Sequence, residues 1–593
     1  MLLLAVAGCE GEIFSVPADH TGPQAATPPP SQPVSPTMPG IPPPTPTQPS
    51  TPSNPTNPTQ PAVPKQKVYA CAASQEALRG TTHRLRRLTQ LELSNTLSAL
   101  LGPTVMADAT LQQKLAGLPV DQTVLPGDFN EATPVSLGQV LFDVSKRAVT
   151  LAMADATWKT QHLGACAAQA TISDTCVASA LRSFGAQVWR RDLTDAEVQL
   201  LTAQASQAGG GAQGLTFALR RLFQSPALVF HLEVGGTPGT DGRVRLTDFE
   251  VASRLSYLAA GVPPDDALMA AARAGQLSTA AQLAPHARRL LATPQGQAKV
   301  KDFFRYYTAL SLVPDPSPTA AALLGLSSTS GLGVQMRTEA FDFIDAVYRS
   351  QGGFAELMGS TAAFPRSSEL AKVLETTIAP AGGASASASH PGLMHRPALL
   401  MSTGPRTSPI VRGAHLRKLF LCDSFGLPDP ALVKARQEQV GDVENMPNRD
   451  KVATLTSSTT CNGCHSQVNP VGFAFEGFDQ LGARRTVETV PDPAGGAPKT
   501  WPIVTKVDNV TLEPGGPGSL ADSLALAQAM TESFKGRACF ARRAFEYFQL
   551  ATVDATKDGC ALSGAENQAH VGSLEAVVVA TLANDDVFYR SAP

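Results

Sequence analysis

The sequence predicts a mainly α fold: a multidomain helical body with few strands, preceded by a disordered Pro-rich stalk. Three observations carry that expectation. Thr194-Asp-Ala-Glu197 and Thr247-Asp-Phe-Glu250 are helix-start signatures, in which a threonine oxygen accepts a backbone N–H and a glutamate returns the bond. Apolar residues recur at helical spacing through most of the chain after Lys67. Alternating strand patterns are scarce.

Taken from the start, residues 1–9 form an apolar run ending in Val6-Ala7-Gly8-Cys9. This resembles a bacterial lipobox, in which the chain is cut before the cysteine and the cysteine is acylated. Cys9 is therefore the expected lipidation site. Only eight residues precede it and none is basic, so a start codon further upstream is expected. Residues 10–66 are expected to be the stalk. Pro49, Pro52, Pro55, Pro58, Pro61 and Pro64 recur every third residue, matching the three-residue turn of polyproline II.

Beyond the stalk, the signature at Thr194 leads into Val198, Leu200 and Leu201 and stops at Gly209 to Gly211; the one at Thr247 leads into Val251, Leu255 and Leu258. Further helices are expected around 87–101, 142–157, 213–231, 264–276, 280–292, 297–310 and 334–349. Their apolar stripes are read as core faces, which every amphipathic helix needs. Residues 377–389, rich in Ala, Gly and Ser, read as a flexible connection. A hairpin or two is expected between about 484 and 512.

Composition narrows the function classes. The 593 residues are 43% hydrophobic, enough for several cores. Net charge is −3, from 47 basic and 50 acidic residues, so nothing favours nucleic acid or an anionic surface. No run of 18 apolar residues follows the first few positions, which argues against a spanning helix. No nucleophile triad, phosphate-binding Gly loop or paired acid motif stands out.

The nine cysteines are Cys9, Cys71, Cys166, Cys176, Cys422, Cys461, Cys464, Cys539 and Cys560. Setting aside Cys9 and the close pair Cys461 and Cys464 leaves six, an even number that suits an oxidising compartment. Cys166 with Cys176 and Cys539 with Cys560 are the expected local bridges, and Cys71 with Cys422 follows by elimination.

Cys461-Asn-Gly-Cys464-His465 is the sharpest chemical signature. Its spacing suits covalent haem attachment, two thiols meeting the two vinyl groups and the next residue offering imidazole to the iron. One haem c is the expected cofactor, with Cys461 and Cys464 as thioethers and His465 as proximal ligand. Competing readings are a local Cys461–Cys464 disulfide, a thioredoxin-like dithiol and a zinc site. The dithiol lacks a βαβ context, and zinc lacks a second Cys or His pair at site spacing. Phe473, Phe475 and Phe478 are candidates to shield a haem face, and Glu476, Asp479, Arg484 and Arg485 to pair with propionates or with one another. Met394, His395, Met401, His415, Met446 and Met530 are candidates for a sixth ligand, and an open or weakly held distal side is expected.

The run from Cys461 through Val468-Asn-Pro-Val-Gly-Phe-Ala-Phe-Glu-Gly-Phe-Asp-Gln-Leu-Gly-Ala-Arg-Arg485 closely resembles a segment of an exported bacterial multidomain family. That family is built from the domains of unknown function numbered 1587, 1595, 1592, 1588 and 1585. His83 to Glu92 resembles its first domain, Trp189 to Glu197 its second, Leu246 to Tyr257 its third, Thr407 to Gly413 the start of its fourth, and Cys539 with the helix after it its last. The second motif usually has proline where Asp192 stands. The resemblance implies helical domains over 67–160, 161–235 and 236–376, a cytochrome-like domain over 390–490 and a C-terminal helical domain over 491–593. It implies architecture more firmly than reaction.

Together these readings predict an exported, lipid-anchored haem c protein of the bacterial cell envelope, an electron carrier or peroxidase-like oxidoreductase. Its expected partners are the membrane, through Cys9, and a redox protein, with no nucleic acid. The alternative is a haem-free surface lipoprotein that binds a polymer or protein partner and closes Cys461 to Cys464 as a disulfide.

Overall fold

The computed structural model describes residues 66–71, 86–119, 121, 135–240, 242–317, 322, 324–404, 406–426, 428–440, 443–490 and 496–591. Cys9 and nearly all of the expected stalk lie outside them. Within them the chain is mainly α, as the helical periodicity predicts.

Both signatures start helices. Thr194 Oγ1 accepts from Glu197 N at 3.2 Å while Glu197 Oε2 accepts from Thr194 N at 2.9 Å, and Thr247 and Glu250 repeat the exchange. Thr89 and Thr279 form two further reciprocal caps that the sequence reading did not single out. Each cap satisfies donors that a helix start otherwise leaves unpaired.

The helices α1 (Gln90–Met106), α2 (Val135–Ala154), α3 (Asp174–Trp189), α4 (Asp195–Gln207) and α5 (Gly211–Phe223) enclose one apolar core, with Leu97, Leu181, Phe184, Leu219 and Phe223 inside. A second core runs through the rest of the body. It is enclosed by α6 (Asp248–Ala260), α7 (Ala280–Leu291), α8 (Pro294–Thr308), α9 (Leu332–Arg349), α10 (Pro409–Leu421), α12 (Asn448–Leu455), α13 (Thr459–Ala474), α14 (Ser523–Thr531), α15 (Phe534–Gln549), α16 (Gly559–Val571) and α17 (Leu574–Leu582); α11 (Pro430–Val440) buries no residue. At its centre Phe303, Phe304, Tyr307, Phe420, Phe540 and Phe548 pack in edge-to-face, tilted and stacked pairs. Full burial of each such ring is worth about 2 kcal/mol.

All sheets among the described residues are two-stranded and antiparallel. β1 (Arg86–Arg87) pairs with β2 (Phe230–His231), and β3 (Arg243–Arg245) with the last strand of the chain. β4 (Ala362–Ala363) pairs with β5 (Ser385–Ala386). One hairpin forms inside the stretch 484–512 where it was expected, β6 (Val487–Val490) with β7 (Lys499–Pro502); a second, β8 (Val507–Val510) with β9 (Gly518–Leu520), begins there and runs past 512. The last strand is β10 (Tyr589–Ser591), so the C-terminal end closes against the start of the second core. Arg254 ties the same place, donating to Val587 O at 2.8 Å and to the Glu233 carboxylate.

The segment expected as a flexible connection is instead fastened. Ser387 N donates to Thr361 O at 2.8 Å, its Oγ donates to Leu374 O, and both Ser387 and Ser389 are buried. Up to Ala386 its described residues stay exposed or half-buried, and the β4–β5 pairing together with Ser387 holds it in place.

Three disulfides form: Cys71–Cys560, Cys166–Cys176 and Cys422–Cys539. Cys166–Cys176 is the short loop expected. Cys539 and Cys560 are both bridged, but not to each other. Cys539 lies inside α15 and faces the end of α10, where its Sγ also reaches Leu419 O and where Cys422 caps the helix in the left-handed region. Cys560 starts α16, alongside which residues 66–71 run, with Val68 N and Tyr69 N donating to Glu566. Tertiary packing, not loop length, selects those partners. The bridges mark a protein that folds in an oxidising compartment. Among the described residues, no helix is long and apolar enough to cross a membrane.

Candidate functional site

Cys461 to His465 occupy the first turns of α13, whose start Ser458 caps by accepting from Cys461 N. Cys461 is half-buried, while Asn462, Gly463 and Cys464 are exposed. These two are the free cysteines among the described residues, since the other six are bridged. The Cys461–Cys464 disulfide of the alternative reading is therefore not formed. Among the described residues no three His, Cys, Asp or Glu side chains gather as they would around a metal ion. The two thiols and the imidazole are instead spread along one exposed helix start.

α13 is set by its crossing with α10. A Cβ on Gly413 would run into Val468 O, and one on Gly472 would run into Pro409 O, so only two glycines let the helix backbones approach this closely. Arg417 adds a polar tie from α10 to Thr511 O at 2.8 Å and pairs with Asp423 at 2.7 Å. Val468 and Val471 then point into the core, leaving Cys464 toward solvent.

His465 is half-buried, and its Nδ1 lies 3.0 Å from Asn469 Oδ1, one turn along the same helix face. Asn469 is buried and donates from Nδ2 to Thr456 Oγ1 at 2.8 Å. Sequence reading missed both partners. The usable signal was an amide four residues after the histidine on a helix.

The aromatic and charged candidates lie elsewhere. Phe475 is about 15 Å along the helix from His465 and packs with Phe478 against His395. Arg449 sits over the Phe473 ring at 5.0 Å. Glu476 is buried, paired with Arg485 at 3.1 Å and accepting from Thr407 at 2.7 Å. Asp479 accepts from Leu481 N and Ala483 N at 2.8 and 2.9 Å, and burial raises its pKa. Arg412 holds this turn from below through Leu400 O, Phe475 O, Phe478 O and Asp479 O, its own pKa pushed down by burial to about 10. These side chains build a packed turn, and Glu476, Asp479 and Arg485 are occupied within it. Arg484 is exposed at a cavity lined also by Ser389, Phe478 and Ser523. That cavity borders the far end of α13, and Cys461, Cys464 and His465 are not in its lining.

The sixth-ligand candidates are dispersed as well. Both His395 nitrogens are engaged, Nδ1 with Pro391 O at 2.7 Å and Nε2 with Ser523 Oγ at 3.0 Å. Met394 and Met530 are inside the second core, and Met401 packs on its edge. Met446 is partly exposed beside the Arg406–Glu488 pair, before α12 begins. Burial pushes the His415 pKa down to about 4, and its Nε2 has no hydrogen-bond partner.

Comparison with protein families finds two matches. Residues 246–375 match PSD4, a protein of unknown function (DUF1592), and residues 390–488 match PSCyt3, a protein of unknown function (DUF1588). Both belong to the five-domain set that the sequence resembles, in the expected order. No curated protein and no solved structure matches the chain at a significant level.

Proposed function

We propose that this chain is an exported haem c protein, carrying one haem on Cys461 and Cys464 with His465 as the proximal ligand. The observation that carries the reading is selective: six described cysteines are bridged, and the two left as thiols are those with haem-attachment spacing, on an accessible helix start. The donor set fits, because thioether formation needs two reduced thiols and His465 engages Asn469 through Nδ1, leaving Nε2 for iron. Bound there, the group would supply one-electron redox chemistry.

What the chain contributes is attachment, orientation and access. Capping by Ser458 fixes the direction of the first turn, and the close α10–α13 crossing gives it a rigid base. The dispersal of Met394, His395, Met401, Met446 and Met530 supports an open distal side, and with it a peroxidase-like or ligand-binding role beside electron transfer. The reading extends to the full chain as an envelope lipoprotein held through Cys9, with a redox protein as partner.

Produced in a host with c-type haem maturation, the protein is expected to show a Soret band that survives acid-acetone extraction. Cys464→Ala should abolish that covalent band. The ferrous form should be high-spin and bind carbon monoxide readily. A colourless product would overturn the haem assignment, and a low-spin ferrous spectrum indifferent to carbon monoxide would overturn the open distal side.

A further inference from the structure

The hydrogen bonds behind His465 run in one direction only. Thr456 Oγ1 has a single proton and donates it to Val452 O at 2.8 Å. Its oxygen can therefore only accept from Asn469, which places the amide nitrogen toward Thr456 and the amide oxygen toward His465. Facing an acceptor, Nδ1 must carry the imidazole proton, and the lone pair is left on Nε2. Thr456 and Asn469 are 7% and 8% exposed, so water competes little for these bonds.

We infer that Asn469, backed by Thr456, is a positioning residue that locks the tautomer and rotation of His465 and sets its donor strength with a neutral acceptor. The inference rests on the haem reading above. An acceptor hydrogen-bonded behind the imidazole pulls on the Nδ1 proton and enriches Nε2, and a carboxylate does so more than an amide. Stronger donation from Nε2 favours the more highly charged iron and lowers the reduction potential. An amide held by a neutral hydroxyl thus keeps the potential above the value a carboxylate would impose. Pro470 directly follows Asn469 inside α13, and the helix continues to Ala474, so the side chain that turns back to His465 belongs to an ordered turn rather than a frayed end.

The test uses the full chain matured with haem and the variants Asn469→Asp, Asn469→Leu and Thr456→Val. Haem per protein, reduction potential and thermal midpoint are measured for each. All three variants should retain covalent haem through Cys461 and Cys464. Asn469→Asp should lower the potential; Asn469→Leu should raise it, and Thr456→Val should raise it by less. Haem-loaded variants whose midpoints fall while the potentials stay at the value of the unchanged protein would overturn the inference and leave Asn469 a packing residue. Should Asn469→Leu fail to fold, Asn469→Asp and Thr456→Val, both close in shape to the residues they replace, decide the matter. Absence of haem from the unchanged chain would overturn the underlying reading and this assignment with it.

Discussion

His390 and His395 are both fully buried, and burial pushes their pKa values down to about 4 and about 3, with Arg396 nearby acting in the same direction. His390 is neutral and bridges Ser389 and Gly482 O, as His395 bridges Pro391 O and Ser523. The unfolded chain takes up these protons near pH 6.5, whereas the folded chain does not until pH 4 or below. Unfolding therefore binds protons across that window, so stability falls as pH drops through it. Each histidine should cost on the order of 1 kcal/mol at pH 5 relative to pH 7. Lowered carboxylates such as Glu197, at about 2, act only below the ordinary carboxylate range, outside the interval in which these two histidines act. Thermal midpoints at pH 7 and 5 should differ less in His390→Gln than in the unchanged protein, and an equal difference would contradict this. Neither histidine stood out for this role in the sequence, because burial is a property of the whole fold. Cys461, Cys464 and His465 did stand out, because their spacing is local and obeys attachment geometry.

Among the elements, α10 and α13 matter most for the site. Gly472→Ala would force a methyl into Pro409 O, and moving the backbones apart should cost about 3 kcal/mol. Denaturant unfolding should register that loss, and a cost near that of an exposed Gly→Ala change would show that the helices can separate freely. This crossing was not legible beforehand, since a glycine opposite a backbone carbonyl looks in sequence like any other helical glycine. The helices themselves were legible, because Thr194 with Glu197 and Thr247 with Glu250 cap locally. The fastening of segment 377–389 was not legible for the opposite reason: small residues suit a pinned surface strand as well as a loose one, and Ser387 finds its partners at Thr361 and Leu374 only through tertiary structure.

At the scale of the molecule, Cys71–Cys560 and Cys422–Cys539 join residues 489 and 117 apart in sequence and fasten both the segment after the expected stalk and the site-bearing helix pair to the C-terminal helices. Parity of the cysteines was legible, but their partners were not, because only packing brings α10 to α15 and residues 66–71 to α16. Replacing Cys422 and Cys539 by serine should destabilise the protein by about 3 kcal/mol while leaving any haem attached. Loss of stability too small to detect would mean that packing alone holds α10 to α15. Covalent haem is the claim on which the rest depends, and mass spectrometry of the unreduced mature protein tests it most directly. The peptide containing Cys461 to His465 should carry the mass of one haem and take up no alkylating reagent, with the other described cysteines recovered as Cys71–Cys560, Cys166–Cys176 and Cys422–Cys539. A haem-free peptide with Cys461 and Cys464 alkylated, or joined to each other, would contradict it.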